Sequence, residues 1–131
     1  MTDGQRDGRS EKYRELSERF VQFAARIIRV AAALPNNDIG RVIRTQMVEA
    51  GTSSGANYEE ACGAESRSDF VHKMRIVLKE LRETRFWLRV IVAAELLPKS
   101  RLGGLLEEAG ELIAIAVTSI KTARGGSDAK K

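Results

Sequence analysis

Apolar residues recur along the chain at steps of three and four, the spacing that places side chains on one face of an α-helix. Four segments carry this pattern, and each follows a residue that commonly caps a helix. We predict one helix in each segment: about residues 11–34, 38–63, 67–96 and 101–124. Pro35 and Pro98 fall in the links between segments, where proline ends a helix.

Four long amphipathic helices with short links predict an all-α fold, an antiparallel up-down four-helix bundle. We assign the bundle to residues 10–124 and expect the polar ends, residues 1–9 and 125–131, to be disordered. No apolar run reaches the length of about 18 residues that suggests a membrane span, and the N-terminus lacks the apolar core of a secretory signal. One cysteine in 131 residues excludes an internal disulfide and favours a reducing cytoplasm.

The second predicted helix has an unusual inward stripe. It begins with Ile39 and Ile43, but its middle consists of small and polar residues that form helices poorly. We predict a buried polar packing layer between helices, in which hydroxyl and amide groups find partners and define the helix register. Its members are Gln46, Ser53, Ser54, Asn57 and Glu80. The alternative is that these are small residues tolerated in an ordinary core.

Positive charge is concentrated in one part of the chain, whose formal net charge is +4. Residues 67–89 hold seven Lys or Arg against three Asp or Glu, whereas residues 1–64 hold nine of each. Helical spacing aligns four of these cations opposite the core stripe of the third helix, with His72, Val71 and Phe86 among them: Arg75, Lys79, Arg82 and Arg89. Such a row suits a phosphate backbone. An ordinary solvated face and the docking surface of an acidic protein remain alternatives.

A second apolar patch lies on the third helix between its core stripe and its basic row. Ile76, Trp87 and Val90 lie there, and one bundle core cannot cover both sides of a helix. Large exposed apolar groups within a rim of charge usually mark an interaction surface. Val21 and Ile28 form a smaller version on the first helix. Self-association is the simplest explanation, and docking of another protein is the alternative.

Catalytic and metal chemistry find little support in the sequence. A di-iron bundle needs two Glu-x-x-His pairs, but His72 is the only histidine and has Asp69 three residues before it. Ser53 or Ser54 with His72 and Asp69 lacks the framework of a catalytic triad. Cys62 has no basic neighbour in sequence to activate its thiol. We therefore expect no catalytic residue, no metal site and no cofactor.

Two long stretches resemble one known family. "LSERFVQFAARIIRVAAALP" (16–35) and "AESRSDFVHKMRIVLKELRETRFWL" (64–88) are similar to the small bacterial four-helix bundle proteins called 23S rRNA intervening-sequence proteins. The likeness extends over about residues 15–122. It implies an up-down four-helix protomer, homopentamers in several members and no known catalytic activity. It also implies kinship with accessory proteins of diversity-generating retroelements, which bind nucleic acid and a reverse transcriptase.

These observations together give one leading hypothesis and one alternative. The first is a cytoplasmic, homo-oligomeric and non-catalytic bundle that acts as a nucleic-acid-binding or ribonucleoprotein accessory scaffold, with RNA or DNA on the basic row. The alternative is a protein-interaction module that docks a partner, such as a reverse transcriptase, through Ile76 and Trp87.

Overall fold

The computed structural model describes the backbone of residues 3–128 and the side chains of residues 11–125. The chain forms four α-helices with no strand in this range: α1 Asp3–Ala33, α2 Asp38–Cys62, α3 Arg67–Ala93 and α4 Lys99–Asp128. The prediction of an all-α four-helix bundle is confirmed. Helices α1 and α4 reach into the polar ends that were expected to be disordered. That disorder stays a prediction, and residues 1–2 and 129–131 lie outside the described residues.

Capping residues fix the starts of α2 and α3, as the sequence indicated. The Asn37 side chain accepts a hydrogen bond from the Gly40 backbone N–H at 2.8 Å, and the Ser66 hydroxyl accepts one from Asp69 N–H at 3.0 Å. Each bond satisfies a donor that the first turn of a helix leaves free. Gly40 lies so close to the first link that a Cβ atom there would be 1.9 Å from the Pro35 carbonyl oxygen.

The helices run antiparallel around a single core. Packing is most extensive between α2 and α3, and α1 and α4 touch least. In the seam between α1 and α2, Gly51 and Gly55 let the backbones approach: a Cβ atom at these glycines would lie 3.0 Å from Ile27 and 3.1 Å from Phe20. The seam between α1 and α4 is bridged instead by Arg19, which pairs with Glu108 at 2.7 Å and with Glu111 at 3.0 Å.

The core stripes of α1, α3 and α4 follow the predicted spacing closely. Most predicted core residues are buried, and those that are not lie half-buried against the core. On α3, Val71 rather than Phe70 is the first buried residue, so the expectation that Val71 lies among the exposed cations was wrong. On α4, Leu105 and Leu112 are buried, while their neighbours Leu106 and Ile113 are half-buried and pack against the core.

The inward stripe of α2 is turned relative to the prediction. Gln46 is exposed and its neighbour Met47 is fully buried, and Ile39 is 65% exposed. The reason lies at the start of the helix, where Gly40 occupies the inward position against the Pro35 carbonyl. Ile43 and Met47 then follow at the next steps of the buried stripe.

The polar residues of the core bond within their own helices. Ser54 is fully buried and donates to the Gly51 carbonyl at 2.8 Å, while half-buried Asn57 donates to the Ser53 carbonyl at 2.9 Å. Thr84 of α3, also fully buried, donates to the carbonyl of half-buried Glu80 at 2.7 Å. The predicted hydrogen-bonded layer between helices is therefore not what these residues form. Their small volume and local bonding match the alternative of tolerated core residues.

Candidate nucleic-acid interface

The outer face of α3 carries the predicted basic row, which we call the basic stripe: Arg75, Lys79, Arg82 and Arg89. All four side chains are exposed, because the opposite side of the helix supplies the fully buried Met74, Val77, Leu81 and Leu88. At a rise of about 1.5 Å per residue, the stripe extends over about 21 Å of helix axis.

No ion pair joins a member of the stripe to a carboxylate of the described residues, although the charge of Lys79 acts on the neighbouring Glu80. The ion pairs found between residues 11 and 125 involve Arg19, Arg41 and Lys73, and none involves a member of the stripe. Lys73, on the side of α3 that faces α2, contacts Glu60 at 2.7 Å. Lys73 is thus paired within the bundle, whereas the four outer cations of α3 have no such ion pair with a described carboxylate.

An exposed aromatic ring interrupts the stripe. Phe86 is 53% exposed and lies between Arg82 and Arg89 in sequence on the same face. Its ring meets Trp87 edge to face, with centroids 5.3 Å apart and planes at 73°. Because a base can stack on an exposed aromatic ring while phosphates contact nearby cations, this combination suits a single strand of nucleic acid.

The predicted partner surface on α3 is less exposed than expected. Ile76, Trp87 and Val90 are all half-buried, and Trp87 packs against the core while its ring N–H donates to Glu83 at 3.3 Å. Large apolar groups with greater exposure lie elsewhere: Tyr13, Val21, Ile28, Ile39, Val42 and Phe86. The expected exposure of Val21 and Ile28 is therefore confirmed.

Ile39 and Val42 were missed because the sequence prediction rotated α2 incorrectly. Counting in opposite directions from the Glu60–Lys73 ion pair puts Val42 level with Ile91 and Ile39 level with Ala94. The two residues therefore lie at the same end of the α2–α3 seam as Trp87 and Val90. We call this surface, formed by Ile39, Val42, Trp87 and Val90, the apolar seam.

A third cluster joins α1 and α2 around Glu59. Tyr13 donates to its carboxylate at 2.6 Å and Ser17 donates as well, and these bonds hold the pKa of Glu59 below its usual value. The bond to Glu59 raises the pKa of Tyr13 to about 12. Desolvation of its sulfur raises the pKa of nearby Cys62, although the residue as a whole is exposed. This shift is opposite to that of an activated thiol.

A metal-binding cluster and a membrane-spanning helix are both absent from the described part of the chain. No three His, Cys, Asp or Glu side chains lie together there in a way that could hold a metal ion. Between residues 3 and 128, no helix combines the length and apolar character needed to cross a lipid bilayer.

The fold and this surface define the class of protein: a small antiparallel four-helix bundle with an exposed cationic face on its third helix. The model of the family described as 23S rRNA-intervening sequence protein matches residues 13–118, and the chain belongs to this family. The resemblance of the first and third helices is thereby confirmed.

A solved structure is similar to the chain in both fold and sequence. It is a protein of unknown function from the S23 ribosomal protein family of Bacteroides thetaiotaomicron, 32% identical, with a TM-score of 0.75. The match covers 80% of this chain and 97% of that one. No curated protein matches the chain.

Proposed function

We propose that the chain is a non-catalytic, cytoplasmic scaffold that binds nucleic acid through the basic stripe and serves as an accessory protein in a ribonucleoprotein. The observation that carries this proposal is the row of four exposed cations without carboxylate partners among the described residues, with Phe86 between them. The family's name refers to a sequence that interrupts 23S rRNA, which agrees with a role beside RNA.

The stripe is suited to a backbone more than to a particular base sequence. Arginine and lysine on a convex helix contact phosphates, and each contact releases condensed counterions. Four contacts to a single strand predict a slope of about −2.8 for log affinity against log salt concentration. Because one ring offers a stacking platform for any base, we expect weak sequence preference and a moderate preference for single strands.

Titration of fluorescently labelled single-stranded and duplex RNA and DNA at several salt concentrations tests the proposal. The test variant reverses the stripe to glutamate at all four positions. The control reverses four other exposed cations, so that net charge changes equally: Arg14, Arg29, Lys99 and Arg101. Loss of binding and of the salt slope in the test variant alone supports the proposal. Equal behaviour of the two variants, or binding without salt dependence, contradicts it.

The apolar seam supports a second candidate function, assembly with other copies of the chain or with another protein. Ile39 and Val42 are 65% and 59% exposed, and exposed apolar side chains grouped together commonly mark an interaction site. Several family members are homopentamers by the resemblance given above, so self-association is the form we propose. A reverse transcriptase is the heterologous partner that the same resemblance implies.

Light scattering and analytical ultracentrifugation of the purified chain test this second candidate. Replacing both Ile39 and Val42 by serine is expected to lower the measured mass to that of the monomer, while Ala114→Ser, an exposed change on α4 outside both apolar patches, is the control. An unchanged mass in the double variant contradicts assembly through the apolar seam. Partner capture after nuclease treatment, lost on Trp87→Ala, would favour the heterologous form.

A further inference from the structure

A hollow lies where the start of α3 meets the end of α4, beyond the first cation of the basic stripe. It has a volume of about 710 Å³, and three arginines, a histidine and a hydroxyl line it with an apolar floor: Arg67, Ser68, Val71, His72, Arg75, Ala123 and Arg124. Val71 is buried and Ala123 packs against the core, so these two side chains give the hollow an apolar floor.

No carboxylate is among the described residues that line this hollow. The nearest acidic residue in the first turn of α3, Asp69, belongs to the other side of the helix. Its backbone N–H binds the Ser66 cap and its charge acts on Lys73, which pairs with Glu60 of α2. Apart from Arg67, which has an interaction of its own, the described part of the hollow therefore gathers Ser68, His72 and Arg75 of α3 and Arg124 of α4 without the charge of Asp69.

We propose that this hollow binds a phosphate group, and that it holds the terminal phosphate of a nucleic-acid strand whose backbone follows the basic stripe. The second part rests on the proposed function. A terminal phosphate monoester carries about −1.5 to −2 charges at neutral pH and three acceptor oxygens, more than an internal diester. The guanidinium groups of Arg75 and Arg124, which line the hollow from two helices, match that group, because each can form charge-assisted hydrogen bonds with fixed geometry. Arg75 belongs to both the hollow and the stripe, which makes the two surfaces continuous.

The single histidine gives a direct test of the hollow that does not depend on nucleic acid. His72 lines the site, so its imidazole proton signals in an NMR titration report on it alone. Inorganic phosphate is expected to shift these signals saturably, and Arg124→Gln is expected to abolish the saturation. Arg101→Gln, an exposed change on the same helix outside the hollow, is the control. A linear, non-saturating shift, or saturation that survives both Arg124→Gln and Arg75→Gln, overturns the site.

A pair of oligonucleotides tests the role in strand binding. The same single strand is compared with a terminal phosphate and with a terminal hydroxyl, at the 5′ and the 3′ end separately. We expect about tenfold tighter binding for one phosphorylated end, the increment that strong charge-assisted hydrogen bonds supply. Arg124→Gln should remove this increment and leave the hydroxyl-ended strand unaffected, whereas Lys79, Arg82 and Arg89 changed together to glutamine should weaken both strands alike.

The outcomes separate this inference from the proposed function. If a strand binds through the stripe with equal affinity whether it ends in a phosphate or a hydroxyl, and inorganic phosphate gives no saturable shift, the hollow is overturned. The proposal for the basic stripe is then unaffected. A saturable shift with phosphate or a nucleoside monophosphate but no strand binding overturns the strand-end role and assigns a free phosphate compound to the site. Phosphate saturation with the end-dependent increment supports the whole inference.

Discussion

Helix α1 is joined to its two neighbours in different ways. Towards α2, glycine removes side chains so that Ile27 and Phe20 pack directly on the α2 backbone, and Tyr58 stacks on Phe20 with centroids 4.9 Å apart. Towards α4, the gap is wider and Arg19 reaches across to two carboxylates. The first seam is stabilised by close apolar contact that excludes water, whereas the second depends on charges that salt screens. We therefore expect their contributions to stability to differ in size and in salt dependence.

The largest loss of stability is expected from changes at the apolar contact between α1 and α2. Ile27→Ala removes a fully buried side chain that fills the space over Gly51, and should lower the free energy of unfolding by about 3–4 kcal/mol. Ile28→Ala is the matched control, since its side chain is exposed, and should change stability by about 0.5 kcal/mol or less. Urea unfolding followed by circular dichroism measures both. Similar losses in the two variants would contradict the close-packed seam.

Adding a side chain to the same contact should give a smaller loss. Gly51→Leu forces a large group against Ile27, because even a Cβ atom there lies 3.0 Å from that side chain, and should cost about 2 kcal/mol. The same change at Gly110 of α4 meets open space and should stabilise the helix by about 0.5–1 kcal/mol through higher helix propensity. Thermal melting of the pair measures the contrast. If Gly110→Leu destabilised the protein and Gly51→Leu did not, the close contact at Gly51 would be contradicted.

Breaking the ion pairs between α1 and α4 should cause a still smaller loss of stability, and this loss should depend on salt concentration. Arg19→Gln removes the partly exposed pair with Glu108 and should cost about 0.5–1 kcal/mol at low salt. The difference from the unmodified chain should shrink at high salt, because added ions screen the pair, whereas the Ile27→Ala difference should not. Unfolding curves at two salt concentrations check this. A loss that does not depend on salt would mean that Arg19 acts through packing of its stem.

The smallest effect is expected for the pH dependence of stability that Glu59 contributes at the outer rim of the α1–α2 seam. The bonds from Ser17 and Tyr13 lower the pKa of Glu59, so their stabilisation is present above the ordinary carboxyl pKa of 4.5 and is lost as pH falls through the lowered value in the folded state. Glu59→Gln should therefore be slightly less stable than the unmodified chain at neutral pH and equal to it in acid. A stability difference that grows as pH falls below 4.5 would oppose this sign.

The sequence was sufficient for the helices and for the basic stripe, because strong periodicity fixes both the length and the outer face of α3. It failed on α2, where small residues on several sides make the hydrophobic period ambiguous. Gln46 and Met47 are adjacent, and only the contact of Gly40 with Pro35 decides which of them faces inward. The hollow could not be found from the sequence either, because Arg124 and Arg75 line one site only through the register of α3 against α4.

The close contact at Gly40 has a consequence for which sequences can fold in this way. A side chain of any size there would place its first carbon 1.9 Å from the Pro35 carbonyl oxygen, which is backbone and cannot swing aside. If codon 40 were fully randomised and folded clones were selected, the survivors should encode glycine, with alanine already excluded. Glycine is thus required at position 40 for the turn between the first two helices, whereas the exposed Ile39 beside it can be replaced without preventing the fold of the single chain.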